Sequence, residues 1–242
     1  MDIAGKKAIV LGGTSGIGLA TSLMLVEKGA DVVAVSRDPS KAGDVPAGIR
    51  LAALDSRDSE AVEAFFNAEG EIDILVNSAT GGSRAFGPFM EMDMKGFQGS
   101  FDKLWGYTNV VRFGAEHLSE HGSIVLVSGA PARRAKPGQA AIAAVGGAVE
   151  QFSRAIAAEL APRRINVVSP GVIDTPMFGN DAEARGKMLV GATGKNLIPR
   201  AGTPDEVAKA IVFAVENDFV TNISPRFDGS TGELTIIQVE EL

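Results

Sequence analysis

The chain has 242 residues, 45% hydrophobic and 22% charged, the composition of an ordinary soluble domain with enough apolar material for a substantial core. Its net charge of −7 is spread in both signs, and the one basic cluster is Arg133, Arg134 and Lys136, so a broad cationic face for nucleic acid is not expected. There is no cysteine, the only histidines are His117 and His121, and the amino-terminal stretch has neither a signal layout nor a membrane-spanning run. Disulfides, thiolate chemistry, metal sites and membrane contact are therefore not expected, and the expected compartment is the cytoplasm.

Short apolar runs alternate with longer helical patterns. Strands are expected at residues 8–11, 31–36, 49–54, 74–77, 123–128, 165–169 and about 223–227, and helices at 16–28, 59–67, 99–119, 138–160 and 204–216. This alternation predicts βαβ units and a parallel sheet, and continuous runs such as IVL and ILV suit strands buried on both faces. Between the second and third strands, RDPSKAGDVPAG is too rich in Pro and Gly for a crossover helix, so a short turn is expected. The last helix opens TPDE, with Thr203 as N-cap, Pro204 at the first helical position and Glu206 completing a capping box. Residues 176–197 have no sustained period, which leaves a mobile lid or an irregular connection open. The expected fold class is α/β, one doubly wound parallel sheet of about seven strands with helices on both faces, in a single domain over 1–242.

The first strand runs into Gly12-Gly13-Thr14-Ser15-Gly16-Ile17-Gly18 and then a helix. Glycines at such a turn let the backbone approach a pyrophosphate, and the helix N-terminus offers free N–H groups and a positive dipole end. A ribose with a free 2′-hydroxyl calls for a carboxylate at the end of the second strand. The residues there are Ser36 and Arg37, a hydroxyl and a guanidinium that suit a 2′-phosphate. Asp38 follows, and a one-residue shift would put an acid near the ribose. The favoured cofactor is NADP(H).

With these segments in place the chain resembles the short-chain dehydrogenase/reductase family, from about residue 6 to residue 229. The glycine motif matches, with Leu11 where threonine is usual. Asp55, followed by Ser56, matches the family's adenine-contacting acid, and Asn77-Ser78-Ala79-Thr80 stands in for Asn-Asn-Ala-Gly with two departures. SPGVIDTP matches the turn whose residues contact the nicotinamide carboxamide: Pro170 and Gly171 form it, and Ile173 and Thr175 fall at the contacting positions. The closing FDGS is similar to the usual Val-Asp-Gly-Gly. The resemblance implies a Rossmann-like fold, NADP(H) as cofactor, a small-molecule substrate, and a homodimer or homotetramer built by pairing the helices at 99–119 and 138–160.

The family's chemistry rests on Asn, Ser, Tyr and Lys. By the resemblance the serine position falls on Gly129, the tyrosine on Ile142, the lysine on Gly146 and the asparagine on Lys103. A one-residue slip would make Ser128 the serine. No slip supplies the tyrosine, because the one tyrosine, Tyr107, precedes the fifth strand, and no lysine lies between Pro137 and Gly186. An inert segment, PGQAAIAAVGGAV, occupies the place of the catalytic helix.

The remaining candidates for catalysis are Lys103, Ser128, Arg134 and Asp174, with Gly129, Arg133 and Ile142 toward the substrate. For Lys103 the plainer expectation is a stem that snorkels to the surface; the sharper one is an ammonium directed into the vacated volume. Arg133 and Arg134 follow the fifth strand at the carboxyl edge, where ligands bind open α/β sheets, and are read either as solvated loop charges or as a substrate clamp. Asp174 is a partner for such a cation or for a substrate amine. Trp105 and Tyr107 are expected in the core or at an interface. Three functions stay open: an NADP(H)-dependent oxidoreductase with non-standard residues, taking iminium-like, conjugated or bulky carbonyl substrates; a catalytically silent NADP(H)-binding or interaction protein; and a non-redox cyclase or isomerase.

Overall fold

A computed structural model describes residues 1–80 and 82–229. Seven parallel strands form one sheet: β1 (Lys7–Leu11), β2 (Asp31–Ser36), β3 (Ile49–Ala53), β4 (Ile72–Asn77), β5 (Leu118–Val127), β6 (Arg164–Pro170) and β7 (Arg226–Phe227). Their order is β3-β2-β1-β4-β5-β6-β7, so the chain reverses direction across the sheet after β3. Seven helices cross over between them or flank the sheet: α1 (Gly16–Glu27), α2 (Ser59–Glu69), α3 (Met94–Ser100), α4 (Asp102–Gly114), α5 (Ala140–Leu160), α6 (Ala182–Thr193) and α7 (Pro204–Glu216).

Side chains alternate across a strand, and the two faces of β1 show the result. Ala8 and Val10 join the core under α1 and α7, with Leu25, Val207 and Ile211. Ile9 and Leu11 join the opposite core under α2, α4 and α5, with Phe66, Tyr107 and Val149. The expected α/β sandwich is the observed one. The predicted turn between β2 and β3 is a short 3-10 turn led by Pro39, and α7 starts with the predicted capping box.

Three boundaries differ from expectation. The predicted helix at 99–119 is two helices followed by a strand. The break between the helices falls at Phe101, and α4 ends at Gly114, packed so tightly that a Cβ there would lie 2.8 Å from both Leu75 and the Phe66 ring. Leu118, buried and paired with Ile72, opens β5. Residues 176–197, read as a lid or an irregular connection, contain α6, whose N-cap Asp181 accepts from the Ala184 N–H at 2.9 Å. The last strand is shorter than 223–227, although the N–H groups of Val167 and Ser169 still donate to the carbonyls of Ile223 and Pro225; Pro225 has no N–H to give back to a ladder. Ser230 of the FDGS segment, and residues 230–242 of the expected domain, lie outside the described residues.

Candidate functional site

Strand order reverses between β1 and β4, the place where open α/β sheets bind ligands at the carboxyl edge, and β5 and β6 follow β4 along that edge. Gly12 and Gly16 have φ of +75° and +51°. A Cβ on Gly18 would stand 2.0 Å from the Gly12 carbonyl oxygen, and one on Gly12 would stand 2.9 Å from the Ala79 nitrogen. Only glycine permits this packing of turn, helix start and the end of β4. Ser78 donates its hydroxyl to the Leu11 carbonyl at 2.9 Å, locking the same corner. Thr14 is buried, Ser15 is the extended N-cap of α1, and Ile17 packs against the α1/α7 core. Thr175 reaches Gly16 from the β6 side, its methyl 3.2 Å from where a Cβ would be. Ile173 is buried and bridges Gly202, while Gly171, after Pro170, has its N–H on the Phe227 carbonyl at 2.8 Å.

These residues fit a dinucleotide. The hydroxyl of Ser36 and the side-chain nitrogen of Asn77 are buried without a hydrogen-bond partner, an expensive condition for polar atoms that nothing satisfies. Ser36 ends β2, paired with Ala53. Arg37 is exposed and forms no ion pair with a carboxylate among the described residues, while Asp38 accepts the Ser40 hydroxyl at 2.5 Å. The register thus presents hydroxyl and guanidinium ahead of the acid. Asp55 is clamped by Arg57, with Nε–Oδ1 at 3.0 Å and Nη2–Oδ2 at 2.6 Å. That hydrogen bonding holds its carboxyl down at about 2. Ser56 is buried against Gly106, and its carbonyl accepts from Asn109 at 3.0 Å.

On the substrate side the observations separate the candidates. Lys103 does not snorkel. It is partly buried, donating from Nζ to the Ser128 carbonyl at 3.1 Å, with Nζ 5.3 Å from the centre of the Tyr107 ring. Burial, with a smaller contribution from the charge of Arg84, lowers its pKa to about 8. Ser128 ends beside α5 and donates its hydroxyl to the Gly146 carbonyl at 3.0 Å. Gly146 sits so close that a Cβ there would meet the Ala132 Cβ at 3.0 Å and Ser128 Oγ at 3.1 Å. Gly129 is extended, and Ile142 is partly buried one turn before Gly146.

Arg133, expected as a loop charge or a substrate clamp, is turned inward, its Nε 2.8 Å from Glu150 Oε2. Glu150, on α5 and buried, also accepts the Ser169 hydroxyl at 2.7 Å and lies 3.3 Å from Arg154. This carboxylate was not singled out from the sequence, where it reads as one polar residue on an Ala-rich helix. Asp174 pairs with Arg185 of α6 at 2.8 Å, and neither Arg133 nor Arg134 is its partner. Arg134 follows the short turn after β5 and donates its N–H to the Ala130 carbonyl. Tyr107 is a core residue, its hydroxyl donating to the Val127 carbonyl at 2.9 Å and its acidity suppressed by burial. Trp105 is not in the core: it is 62% exposed. Among the described residues no group of three or more His, Cys, Asp or Glu side chains is arranged to hold a metal, and no helix is long and apolar enough to cross a membrane.

A glycine turn opening a helix, orphaned polar atoms beside it and a sheet that reverses order above it define a dinucleotide-binding α/β protein. Residues 12–224 match the family described as enoyl-(acyl carrier protein) reductase. The 3-oxoacyl-[acyl-carrier-protein] reductase of Thermotoga maritima is 32% identical over 95% of this chain and 98% of its own. An uncharacterized oxidoreductase of Methylorubrum extorquens is 32% identical over 89% of this chain and 92% of its own. A solved small-chain dehydrogenase in complex with NADPH superposes with a TM-score of 0.83 at 29% identity, covering 93% of this chain and 98% of that one. The chain belongs to the short-chain dehydrogenase/reductase family of oxidoreductases.

Proposed function

We propose that the protein is an NADP(H)-dependent oxidoreductase in which Lys103, rather than a tyrosine, handles the proton. The supporting observation is the Lys103 ammonium on the Ser128 carbonyl at the carboxyl end of β5, the same residue whose hydroxyl bonds Gly146, while Ile142 and Gly146 carry no titratable group. The glycine turn, Ser36, Arg37 and Asn77 would hold the cofactor, and the relative solved with NADPH supports that choice. Bound NADPH supplies a hydride to the substrate carbon. The chain's own part is to deliver a proton to the heteroatom as the carbon is reduced: the Nζ–H bond breaks, the new O–H or N–H bond forms, and neutral Lys103 is recharged from solvent. A donor with a pKa of about 8 is well matched to work near neutral pH. Iminium-like or conjugated acceptors need least help from an acid, and bulky carbonyl compounds are a further substrate class for the same reading. Arg134 stays a candidate for polarising the substrate. We also propose a cytoplasmic homodimer or homotetramer acting on a small molecule.

One observation favours the silent reading: Ser128, Arg133 and Asp174 are each engaged within the protein, to Gly146, Glu150 and Arg185. Calorimetric titration with NADPH and with NADH, followed by turnover on a panel of aldehydes and cyclic iminium ions, decides between them. Tight NADPH binding with NADPH-dependent reduction is the expected result. Tight binding with no turnover on any acceptor supports the silent protein, and no binding to either cofactor overturns both.

A further inference from the structure

We propose that Glu150 is a positioning residue for the nicotinamide half of the cofactor, acting through the Ser169 hydroxyl on the turn that follows β6. The inference rests on the cofactor reading given above and gives a task to a carboxylate that the proposed chemistry does not use. A buried ion pair is a weak source of stability, since apolar side chains of the same volume often do as well. Glu150 is nonetheless only 3% exposed on α5, its Oε2 shared between Arg133 Nε at 2.8 Å and Arg154 Nη2 at 3.3 Å. Those two cations fix the carboxylate, and its other oxygen, Oε1, accepts the Ser169 hydroxyl at 2.7 Å.

Ser169 is buried at the end of β6, and the chain turns immediately beyond it at Pro170 and Gly171. Backbone hydrogen bonds fasten the far side of that turn. The Gly171 N–H donates to the Phe227 carbonyl at 2.8 Å, and the Asp174 N–H donates to the Gly202 carbonyl at 2.9 Å. At its end Thr175 lies against Gly16, where α1 begins. The bond from Ser169 to Glu150 fastens the near side, so this one carboxylate sets where residues 170–175 stand at the carboxyl edge of the sheet. Ser36 and Arg37 close β2, and residues 12–18 follow β1. The strand order β2-β1-β4-β5-β6 therefore leaves the edge from β4 to β6 for the nicotinamide half. The turn after Ser169 borders that half, with β1, β4 and β5 between it and the strand that carries Ser36.

NADPH and adenosine 2′,5′-bisphosphate, which keeps the 2′-phosphate and lacks the nicotinamide, are titrated calorimetrically into the protein and into Ser169→Ala, Glu150→Met and Glu150→Gln. Ser169→Ala and Glu150→Met are each expected to weaken NADPH by about tenfold, the worth of one charge-assisted hydrogen bond, and to leave the bisphosphate within about threefold. Glu150→Gln, which keeps an acceptor for the hydroxyl, is expected to recover most of the NADPH affinity lost in Glu150→Met. The double variant, Ser169→Ala with Glu150→Met, should bind NADPH no more than about twofold more weakly than either single one, because both act through one contact. NADPH affinity unchanged in Ser169→Ala overturns the proposal. Equal loss of both ligands also overturns it, because a carboxylate that merely holds the fold together would not tell them apart. Glu150→Gln as weak as Glu150→Met overturns it too, since the acceptor for Ser169 would then be irrelevant. A wild type that binds neither ligand overturns the cofactor reading itself, and this proposal with it.

Discussion

An ammonium drawn out of water is less stable than an amine, and Lys103 shows the consequence in both chemistry and stability. Its folded pKa of about 8 lies below the ordinary value of 10.5. The folded protein therefore binds fewer protons than the unfolded chain between those values, so this residue's contribution to stability improves as pH rises from 8 to 10.5 and is a cost at pH 7. Replacing it, Lys103→Met, should stabilise the protein at pH 7 by about 1–2 kcal/mol, the lost bond to the Ser128 carbonyl offsetting part of the gain. The same change should lower kcat by about 10²–10⁴. In the wild type, kcat/KM for reduction should fall as pH passes 8 and the donor empties, and in Lys103→Met that limb should vanish. A melting series with pH–rate profiles of both proteins checks the pair of outcomes. At the other end of the site, Arg37→Glu should weaken NADPH binding by about tenfold or more and leave NADH binding unharmed, because only the 2′-phosphate is asked to meet the guanidinium. Calorimetry with both cofactors reads that difference.

At the scale of elements, Glu150 ties three pieces of the site wall together: α5, the turn after β5 through Arg133, and β6 through Ser169 just before the Pro170-Gly171 turn. Truncation, Glu150→Ala, removes the carboxylate from the partly buried Arg133 guanidinium and the acceptor from the buried Ser169 hydroxyl, and should cost about 3 kcal/mol, read as a shift of the denaturation midpoint. Glu150→Gln, which keeps an acceptor for Ser169, should cost less. The cofactor half of the site was legible in the sequence because its geometry is local: a strand, a glycine turn and a helix start are neighbours in the chain, and Gly12, Gly16 and Gly18 announce a backbone approach that no other residue tolerates. The substrate half was not, because it depends on contacts between distant segments. Nothing in the order of residues says that Lys103 turns toward Ser128, that Arg133 finds Glu150, or that Asp174 finds Arg185. The close packing of Gly114 against Leu75 and Phe66, at the end of α4, was hidden for the same reason, since both partners are far away in sequence.

Across the whole molecule, binding energy and fold stability are linked. NADPH that binds only the folded state should raise stability by about 2.7 kcal/mol at a hundred times its Kd, and a thermal scan with and without the nucleotide reads it. The proposed pairing of subunits through α4 and α5 makes a separate demand: Trp105, on the solvent side of α4, should be covered in the assembly. A charge placed there, Trp105→Glu, should shift sedimentation toward a single chain without unfolding it, because the side chain contributes nothing to the cores on either face of the sheet.

The same helix carries an optical consequence. The chain has one tryptophan and one tyrosine, two residues apart on α4, the first turned to solvent and the second sealed in the core with its phenol on the Val127 carbonyl. The molecule thus holds two intrinsic chromophores with separate duties. The emission maximum of Trp105 reports whether the outer face of α4 is wet or covered, with no other indole to confuse it. The near-ultraviolet dichroism of Tyr107 reports whether the packing between α4 and β5 is intact. Dilution that moves the first signal and spares the second is dissociation, and denaturant that moves both together is unfolding.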